Sequence, residues 1–297
     1  MTLEQLRIFV AVAERLHMTR AAEALGLTQS AASAAVAALE ARYGTRLFDR
    51  VGRGLVLSDA GEAFLPEARA VLARAAAATT ALEDLAGLRR GHVTLFASQT
   101  VASYWLPPRM VRFARAHPQI SLALSVGNTA QVARAVLDGE AELGFVEGAA
   151  ADPLLAHARI GADRLAILAA PSHPLALAER VTLGDLADAD WVGREPGSGT
   201  RSEFEHALAD LGLAPGRLRR VLDLPSNEAV LAAAAGGGTL AAVSELAARP
   251  MLETVRLRRL AFDLPERPLE LLTHRGRRRS RAAGAFIAEL DAAAAPA

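Results

Sequence analysis

Apolar side chains at Leu3, Leu6, Phe9, Val10 and Ala13 recur at helical spacing and predict an amphipathic first helix. Thr19, a candidate N-cap, precedes the short Ala-rich run Arg20–Leu25. Glu23 stands one position past the capping-box site, and Gly26 breaks the run. Thr28 caps the next helix, Gln29 to about Tyr43, whose Ala32, Val36 and Leu39 share one face. The opposite face shows Ser30, Ala34 and Ala37, with Ser33 flanking and Gln29 at the N-terminal end. Two short helices about a Gly-containing turn, with small residues where they cross, predict a helix-turn-helix. A recognition helix reads base edges from its N-terminal residues, which makes Thr28, Gln29, Ser30, Ser33 and Ala34 the candidate reading positions. The same pattern fits an Ala-rich helical hairpin that packs on another protein.

Leu47–Leu57 reads as a hairpin with Gly52-Arg53-Gly54 at its tip. Arg53, and Arg50 within the hairpin, are candidates to reach phosphates or the minor groove, as in a winged helix. Ser58 caps a long helix, roughly Ala60 to Leu88, with Phe64, Val71, Leu72, Leu82, Leu85 and Leu88 apolar among many alanines. A short head has too little surface to bury so long a stripe. Self-association covers it, or packing against the protein's own C-terminal part.

From Gly91 the grammar changes. His92–Ala97, Ile120–Val126 and Ala141–Val146 read as strands, alternating with helices over Ser103–Ala116 and Asn128–Leu137. A second set opens at Arg164–Ala169 and runs through Trp191–Gly193 to Thr239–Val243. Pro268–Thr273 and a helix over Ser280–Leu290 close the chain. Strands alternating with helices predict a parallel α/β sheet.

At 297 residues the chain has room for two or three folding units. It holds no cysteine, which removes disulfides, thiol catalysis, Cys-ligated zinc and thiol redox sensing. Lysine is also absent, so arginine supplies the cationic side chains other than histidine. The formal net charge is zero, which argues against bulk electrostatic coating of nucleic acid or membrane. Within residues 1–58, Arg7, Arg15, Arg20, Arg42, Arg46, Arg50 and Arg53 face Glu4, Glu14, Glu23, Glu40 and Asp49, a surplus of +2. DNA affinity would then come from placement and dimerisation. The opening residues lack the pattern of a signal peptide, and the uncharged run Ala229–Ser244 is too short to span a membrane. A cytoplasmic protein without membrane contact is expected.

Three strand-to-helix turns carry the candidate chemistry. They are Ser98-Gln99-Thr100, Gly127-Asn128-Thr129 with Gln131 spaced as a capping box, and Arg194 with Gly197-Ser198-Gly199-Thr200. Such turns present free N–H groups and a positive dipole end, which favours small anions. Each hydroxyl or amide could equally be a plain N-cap. Gly197–Thr200 lacks the Lys and spacing of a P-loop, no nucleophile elbow occurs, and the seven histidines show no paired metal-ligand spacing. No enzyme activity, metal or cofactor is expected. Arg275 with Arg277–Arg279 and Arg281 reads as a solvated basic loop.

Leu3–Phe9, Thr19–Leu25, Leu27–Ser33, Leu39-Glu40, Arg46–Arg50 and Leu57–Gly61 resemble, in order, the head of LysR-type transcriptional regulators. One departure is that Ala34 and Ala35 stand where many members carry Arg, His or Gln. This thins hydrogen-bonded base reading and leaves more to thymine methyls and DNA shape. The resemblance implies α plus α/β architecture: a winged helix-turn-helix (1–58), a linker and dimerisation helix (59–89) and an effector domain (90–297). It implies a periplasmic-binding-protein-like effector domain, with lobe one over 91–162 and 266–297, lobe two over 163–265, and a ligand in the cleft between them. Double-stranded operator DNA and a homodimer or homotetramer are the implied partners. Ala97–Pro107, Val126–Val132, Leu143–Gly148 and Arg194–Arg201 are similar to one branch, which includes regulators of sulfur assimilation and carbon fixation. That branch implies a small oxyanion or phosphorylated metabolite as effector, with Ser98, Thr100, Asn128, Thr129, Arg194, Ser198 and Thr200 as candidate contacts. Glu147 cuts against a purely anionic site. The competing reading is a ligand-binding α/β protein whose head makes protein contacts. A second rival is an architectural DNA binder with no ligand, for which the C-terminal two hundred residues would be superfluous.

Overall fold

The computed structural model describes residues 1–52, 54–85, 91–148 and 150–292. It divides into two compact units, Met1–Leu88 with Leu137–Glu140, and Arg89–Val136 with Ala141–Ala297.

The first unit opens with α1 (Leu3–Arg15), started by a capping box. Thr2 Oγ1 accepts from Gln5 N at 3.2 Å and Gln5 Oε1 accepts from Thr2 N at 3.0 Å. The buried face is Leu6, Ile8, Phe9, Ala11, Val12 and Ala13, whereas Leu3 is exposed, which corrects the expected stripe at its first position. The cap of α2 (Met18–Ala24) is also corrected: His17, in extended conformation, accepts from Arg20 N at 3.4 Å through Nδ1, and Thr19 lies inside the helix. Gly26 then turns the chain, and α3 (Gln29–Tyr43) starts at Thr28, whose Oγ1 accepts from Ala31 N at 3.2 Å. Ala32, Val36 and Leu39 are buried as expected.

The antiparallel strands β1 (Phe48–Val51) and β2 (Gly54–Leu57) pair from Phe48↔Leu57 to Val51↔Gly54. Glu40 of α3 holds the base of this wing, accepting from Leu47 N at 2.7 Å and Phe48 N at 3.2 Å. Ser58 Oγ donates to Arg46 O at 2.7 Å and accepts from Gly61 N at 3.0 Å, so it caps α4 (Asp59–Leu85) as expected.

The head core is centred on Phe9, fully buried with its ring 5.5 Å from Phe48 and 5.1 Å from Phe64. It also takes in Ala68, Leu65 and Leu72 of α4. The head therefore covers much of the first half of the α4 stripe but, as expected, not the whole of it. Val71 and Leu82 stay exposed, and Leu88 lies outside the described residues.

In the second unit β3 (Gly91–Ser98) leads into a π-helical turn, Val101–Trp105, and then α5 (Leu106–Ala116). One continuous helix over Ser103–Ala116 was expected. Pro107 and Pro108 have no N–H to bond the carbonyls of Ser103 and Tyr104, and the junction instead closes with Leu106 N donating to Val101 O. There follow β4 (Ile120–Gly127), α6 (Thr129–Asp138), β5 (Leu143–Glu147) and the fifteen-residue β6 (Leu155–Ala169). Next come α7 (Leu183–Asp188), β7 (Asp190–Arg194), α8 (Gly199–Asp210), β8 (Arg219–Leu224) and α9 (Asn227–Ala235). The chain continues through β9 (Leu240–Ser244), α10 (Glu245–Glu253), the seventeen-residue β10 (Arg258–His274) and α11 (Arg281–Ala292).

All eight strands join one sheet, in the order β4-β3-β5-β10-β6-β9-β7-β8. It is mixed rather than parallel. β3 runs parallel to β4 and β5, and β7 runs parallel to β8 and β9, but β10 is antiparallel to both β5 and β6, and β6 is antiparallel to β9. The two central strands run through both halves of the sheet, so each half has its own core. One is built on Val93, Leu95, Phe113, Leu143, Phe145 and Phe286. The other lies on two faces, around Ile167, Trp191 and Phe204, and around Leu168, Val192 and Val230. Burying each such aromatic or branched side chain stabilises by roughly 1.5–3 kcal/mol, which is what keeps each lobe rigid. Among the described residues no helix is long and apolar enough to cross a membrane.

Close backbone approach fixes where α4 leaves the wing. A Cβ on Gly61 would lie 2.1 Å from Leu47 O and 2.8 Å from a Leu57 methyl. Gly61→Ala should therefore lower head stability by about 1–3 kcal/mol. The check is the denaturant midpoint of the full-length protein followed on its head transition, and an unchanged midpoint contradicts the contact.

Candidate functional site

The head presents the N-terminal turn of α3 to solvent. Thr28, Gln29, Ser30 and Ala34 are exposed and Ser33 is half-buried. Thr28 Oγ1 lies 3.1 Å from Ser30 Oγ, so the cap and the first exposed hydroxyl form one polar cluster. Arg50 is exposed on β1, while Arg53 lies outside the described residues. Glu4 pairs with Arg7 at 3.5 Å and Glu14 with Arg15 at 3.4 Å. Arg20, Arg46 and Arg50 have no ion pair among the described residues, so the small positive surplus is carried by free guanidinium groups. Guanidinium groups beside small polar side chains at a helix start can anchor phosphates while the helix meets base edges.

The second unit brings the candidate turns of both lobes together, and it does so around Glu147. This residue ends β5, all five residues of which are buried, and it is 1% exposed. Ser98 Oγ at the end of β3 donates to Glu147 Oε2, and Thr200 Oγ1 in the first turn of α8 donates to Glu147 Oε1 at 3.3 Å. Thr129 Oγ1, at the start of α6, donates to the Glu147 carbonyl at 2.9 Å. Opposite sits Gly199, where a Cβ would fall 1.9 Å from Glu147 O and 2.4 Å from Thr129 Oγ1, so only glycine lets α8 approach.

A second set of bonds clamps the lobes beside this centre. Gln99 Nε2 donates to Pro225 O at 3.1 Å, Asn227 N donates to Gln99 Oε1 at 2.9 Å, and Asn227 Nδ2 donates to Thr100 Oγ1 at 3.1 Å. Ala130 N donates to Gly197 O at 3.2 Å, and Asn128 Nδ2 donates to Glu195 Oε1 at 3.3 Å. Asn128 and Gln131 also form the expected capping box, at 2.9 and 3.0 Å. Arg194 is buried but occupied. Its Nε and Nη2 bond Glu195 at 2.7 and 2.9 Å, and its Nη1 donates to Asn227 Oδ1 at 2.7 Å. Burial opposes ionisation of Glu195, yet the Arg194 guanidinium, with help from Asn128, holds its carboxyl below the usual carboxylate range.

Where β6 and β10 pair, Arg267 and Asp163 form an ion pair with both side chains almost wholly buried. Arg267 Nε and Nη2 reach Asp163 Oδ2 at 3.0 and 2.7 Å, Ser244 Oγ donates to Asp163 Oδ1 at 2.9 Å, and Arg267 Nη1 donates to Thr200 Oγ1 at 3.3 Å. Ser198, 2% exposed and preceding α8, carries a buried hydroxyl with no partner among the described residues. Ser98, Thr100, Asn128, Thr129, Arg194 and Thr200, expected as effector contacts, lie in this hydrogen-bonded network, and Ser198 adjoins it; Asn227, Asp163, Arg267 and the clamping role of Gln99 were not expected. Only Asn227 had a local signal, its place after the Ser226 cap of α9.

A family model described as the LysR substrate binding domain matches residues 86–295, and one described as the bacterial regulatory helix-turn-helix protein, lysR family, matches residues 3–62. The chain belongs to the LysR family of transcriptional regulators. It is 35% identical over 297 residues, 99% of each chain, to YeiE of Escherichia coli K12, described as an uncharacterized HTH-type transcriptional regulator. It is also 35% identical over 288 residues to the RuBisCO operon transcriptional regulator of Allochromatium vinosum, covering 96% of this chain and 94% of that one. The carbon-fixation side of the branch read from the sequence is thereby met. Among solved structures, full-length CbnR complexed with its target DNA has a TM-score of 0.70 at 21% identity, covering 99% of this chain and 100% of that one. The CcmR regulatory domain of Synechocystis in complex with 2-PG has a TM-score of 0.63 at 25% identity, covering 69% of this chain and 97% of that one. As a LysR-type regulator the chain is a DNA-binding protein with an effector-binding domain, which sets aside the reading of its head as a protein-contact module.

Tyr104, in the π-helical turn, reports on lobe contact. Its hydroxyl donates to Glu228 at 3.1 Å, and burial, reinforced by the Glu228 charge, pushes its pKa up from 10.0 to about 12. A phenol whose folded value is raised contributes stability below the unfolded value, and that stability is lost as pH rises from about 10 to about 12. Tyr104→Phe should remove phenolate absorbance that titrates near pH 12 in the parent and flatten the alkaline fall in stability over that window. A parent-minus-variant difference that titrates near the ordinary tyrosine value of 10.0 contradicts the contact.

Proposed function

We propose that this regulator senses a small oxyanion or phosphorylated metabolite in the cleft between its lobes and thereby changes how its head engages an operator. The observation that carries the reading is that turns from both lobes meet at one buried point, with Ser98, Thr129 and Thr200 on Glu147 and beside them a buried Ser198 hydroxyl without a partner among the described residues. Thr100, Asn128 and Ser198 complete the contact set, and Arg194 acts by holding Asn227 in place. The hydroxyl of Ser198 at the start of the twelve-residue α8 adds a donor where the helix dipole favours negative charge. The 2-PG bound to the CcmR domain supports a small metabolite as the occupant.

In the head, Thr28, Gln29, Ser30, Ser33 and Ala34 read the major groove, and Arg50 and Arg53 hold phosphates. The exposed Val71 and Leu82 of α4 make the linker helix a self-association surface, first as a homodimer and then as a tetramer. Two heads then meet a two-fold operator. The domain limits 1–58, 59–89 and 90–297, with lobes over 91–162 and 266–297, and 163–265, serve this division of labour. The protein works in the cytoplasm and catalyses no reaction.

Two substitutions test the halves separately. Ser33→Glu sets a carboxylate against the acceptor-rich groove and nearby phosphates, and should weaken operator binding by at least about a hundredfold; mobility shift on the promoter flanking its own gene reads this, and parental affinity refutes the assignment of the reading helix. Thr100→Val removes a hydroxyl at the cleft while leaving the head untouched. It should blunt the effector-dependent change in DNA retention about tenfold without altering binding in the absence of effector, and a parental response misplaces the site.

A further inference from the structure

We propose that Glu147 makes the cleft selective for an oxyanion that still carries a proton, against a fully ionised one of the same size. The inference rests on the reading of the cleft as an oxyanion site and adds which oxyanions it admits.

The argument is one of counting donors. A hydroxyl has one proton to give. Those of Ser98 and Thr200 are given to the Glu147 carboxylate, and that of Thr129 to the Glu147 carbonyl. Toward a ligand these three hydroxyls can therefore only accept. The two arginines of the network bring no spare charge, because Arg194 is matched by Glu195 and Arg267 by Asp163. Glu147 has hydroxyls for hydrogen-bond partners and no cation of its own among them. These five charged groups leave the cleft one negative charge in excess.

A fully ionised oxyanion entering here would set its lone pairs against those of Glu147, Ser98 and Thr200. Buried acceptors facing each other without a proton between them are strongly unfavourable. An oxyanion with one O–H removes the conflict by donating it to Glu147. Its remaining oxygens need donors, and besides the backbone N–H groups of the helix starts two hydroxyls still have a proton to give. Thr100 accepts from Asn227 and keeps its own proton, and the Ser198 hydroxyl is buried without a partner among the described residues. A buried carboxylate among these donors is an acceptor that an oxyanion bearing one proton can satisfy and a fully ionised one cannot. Sites built to receive a ligand hydroxyl reject the analogue that lacks it far more strongly than a hydrophobic pocket rejects a missing methylene.

Inorganic phosphate and sulfate separate the cases, since at neutral pH phosphate retains a proton and sulfate does not. Isothermal calorimetry on the full-length protein should show phosphate binding roughly a hundredfold more tightly than sulfate. Glu147→Gln offers an amide that donates as well as accepts, and should bring the two affinities within about threefold of each other. Equal binding of the two anions by the parent, or an undiminished phosphate preference in Glu147→Gln with parental circular dichroism, overturns the proposal. The parental comparison decides even if that variant misfolds. Heat from neither anion in the parent refutes the oxyanion reading itself, a result distinct from loss of selectivity alone.

Discussion

The pairing of Asp163 with Arg267 is the constraint on which the effector domain depends. It sits where the two long central strands exchange one lobe for the other, shut off from water on every side. A carboxylate and a guanidinium so placed stay charged only if each keeps the other, so the segments bearing them are held in one register. Arg267 spends a third nitrogen on Thr200, and Thr200 in turn reaches Glu147. The same ion pair that fixes the crossover thus orients the first turn of α8 and, through it, Glu147. An interaction of marginal net stability can still be decisive here, because what it supplies is position.

Around this fixed centre the lobes are joined by single hydrogen bonds, each worth only about 0.5–1.5 kcal/mol net. A handful of them between Gln99, Thr100, Asn128 and Tyr104 on one lobe and Asn227, Glu195 and Glu228 on the other can be exchanged for ligand contacts at small cost. A shift of about 1.4 kcal/mol moves an equilibrium between two conformations tenfold. Sensing needs no more than this, provided the lobes themselves are stiff, and their separate aromatic cores make them so.

What was legible in the chain was what is local. Thr28 and Ser58 announce helix starts because a cap is decided within three residues, and the Asn128/Gln131 box is read the same way. The wing was visible from a glycine-flanked tip between short apolar runs. Thr19 misled because a histidine two residues earlier took the cap, a role for which its residue type gives little warning. β6 was recognised only from Arg164, since Leu155–Gly161 alternates too weakly to suggest a strand, and β8 is an exposed edge with no buried face to mark it. Asp163 and Arg267 lie 104 residues apart and nothing in either neighbourhood points to the other. Glu147 stood out only as a charge that cuts against a purely anionic site, because its meaning required knowing which hydroxyls surround it.

The two lobes are connected by a pair of adjacent antiparallel strands with register irregularities between Arg259 and Asp263 and between Asp263 and Glu266. Such a spine resists sliding, which would tear a ladder of backbone bonds, but yields to bending across its width and to twisting along it. On the proposed function, the message the cleft sends would therefore be angular in kind. A few degrees of turn, enlarged over the length of the lobe, would reach the outer helices as a displacement.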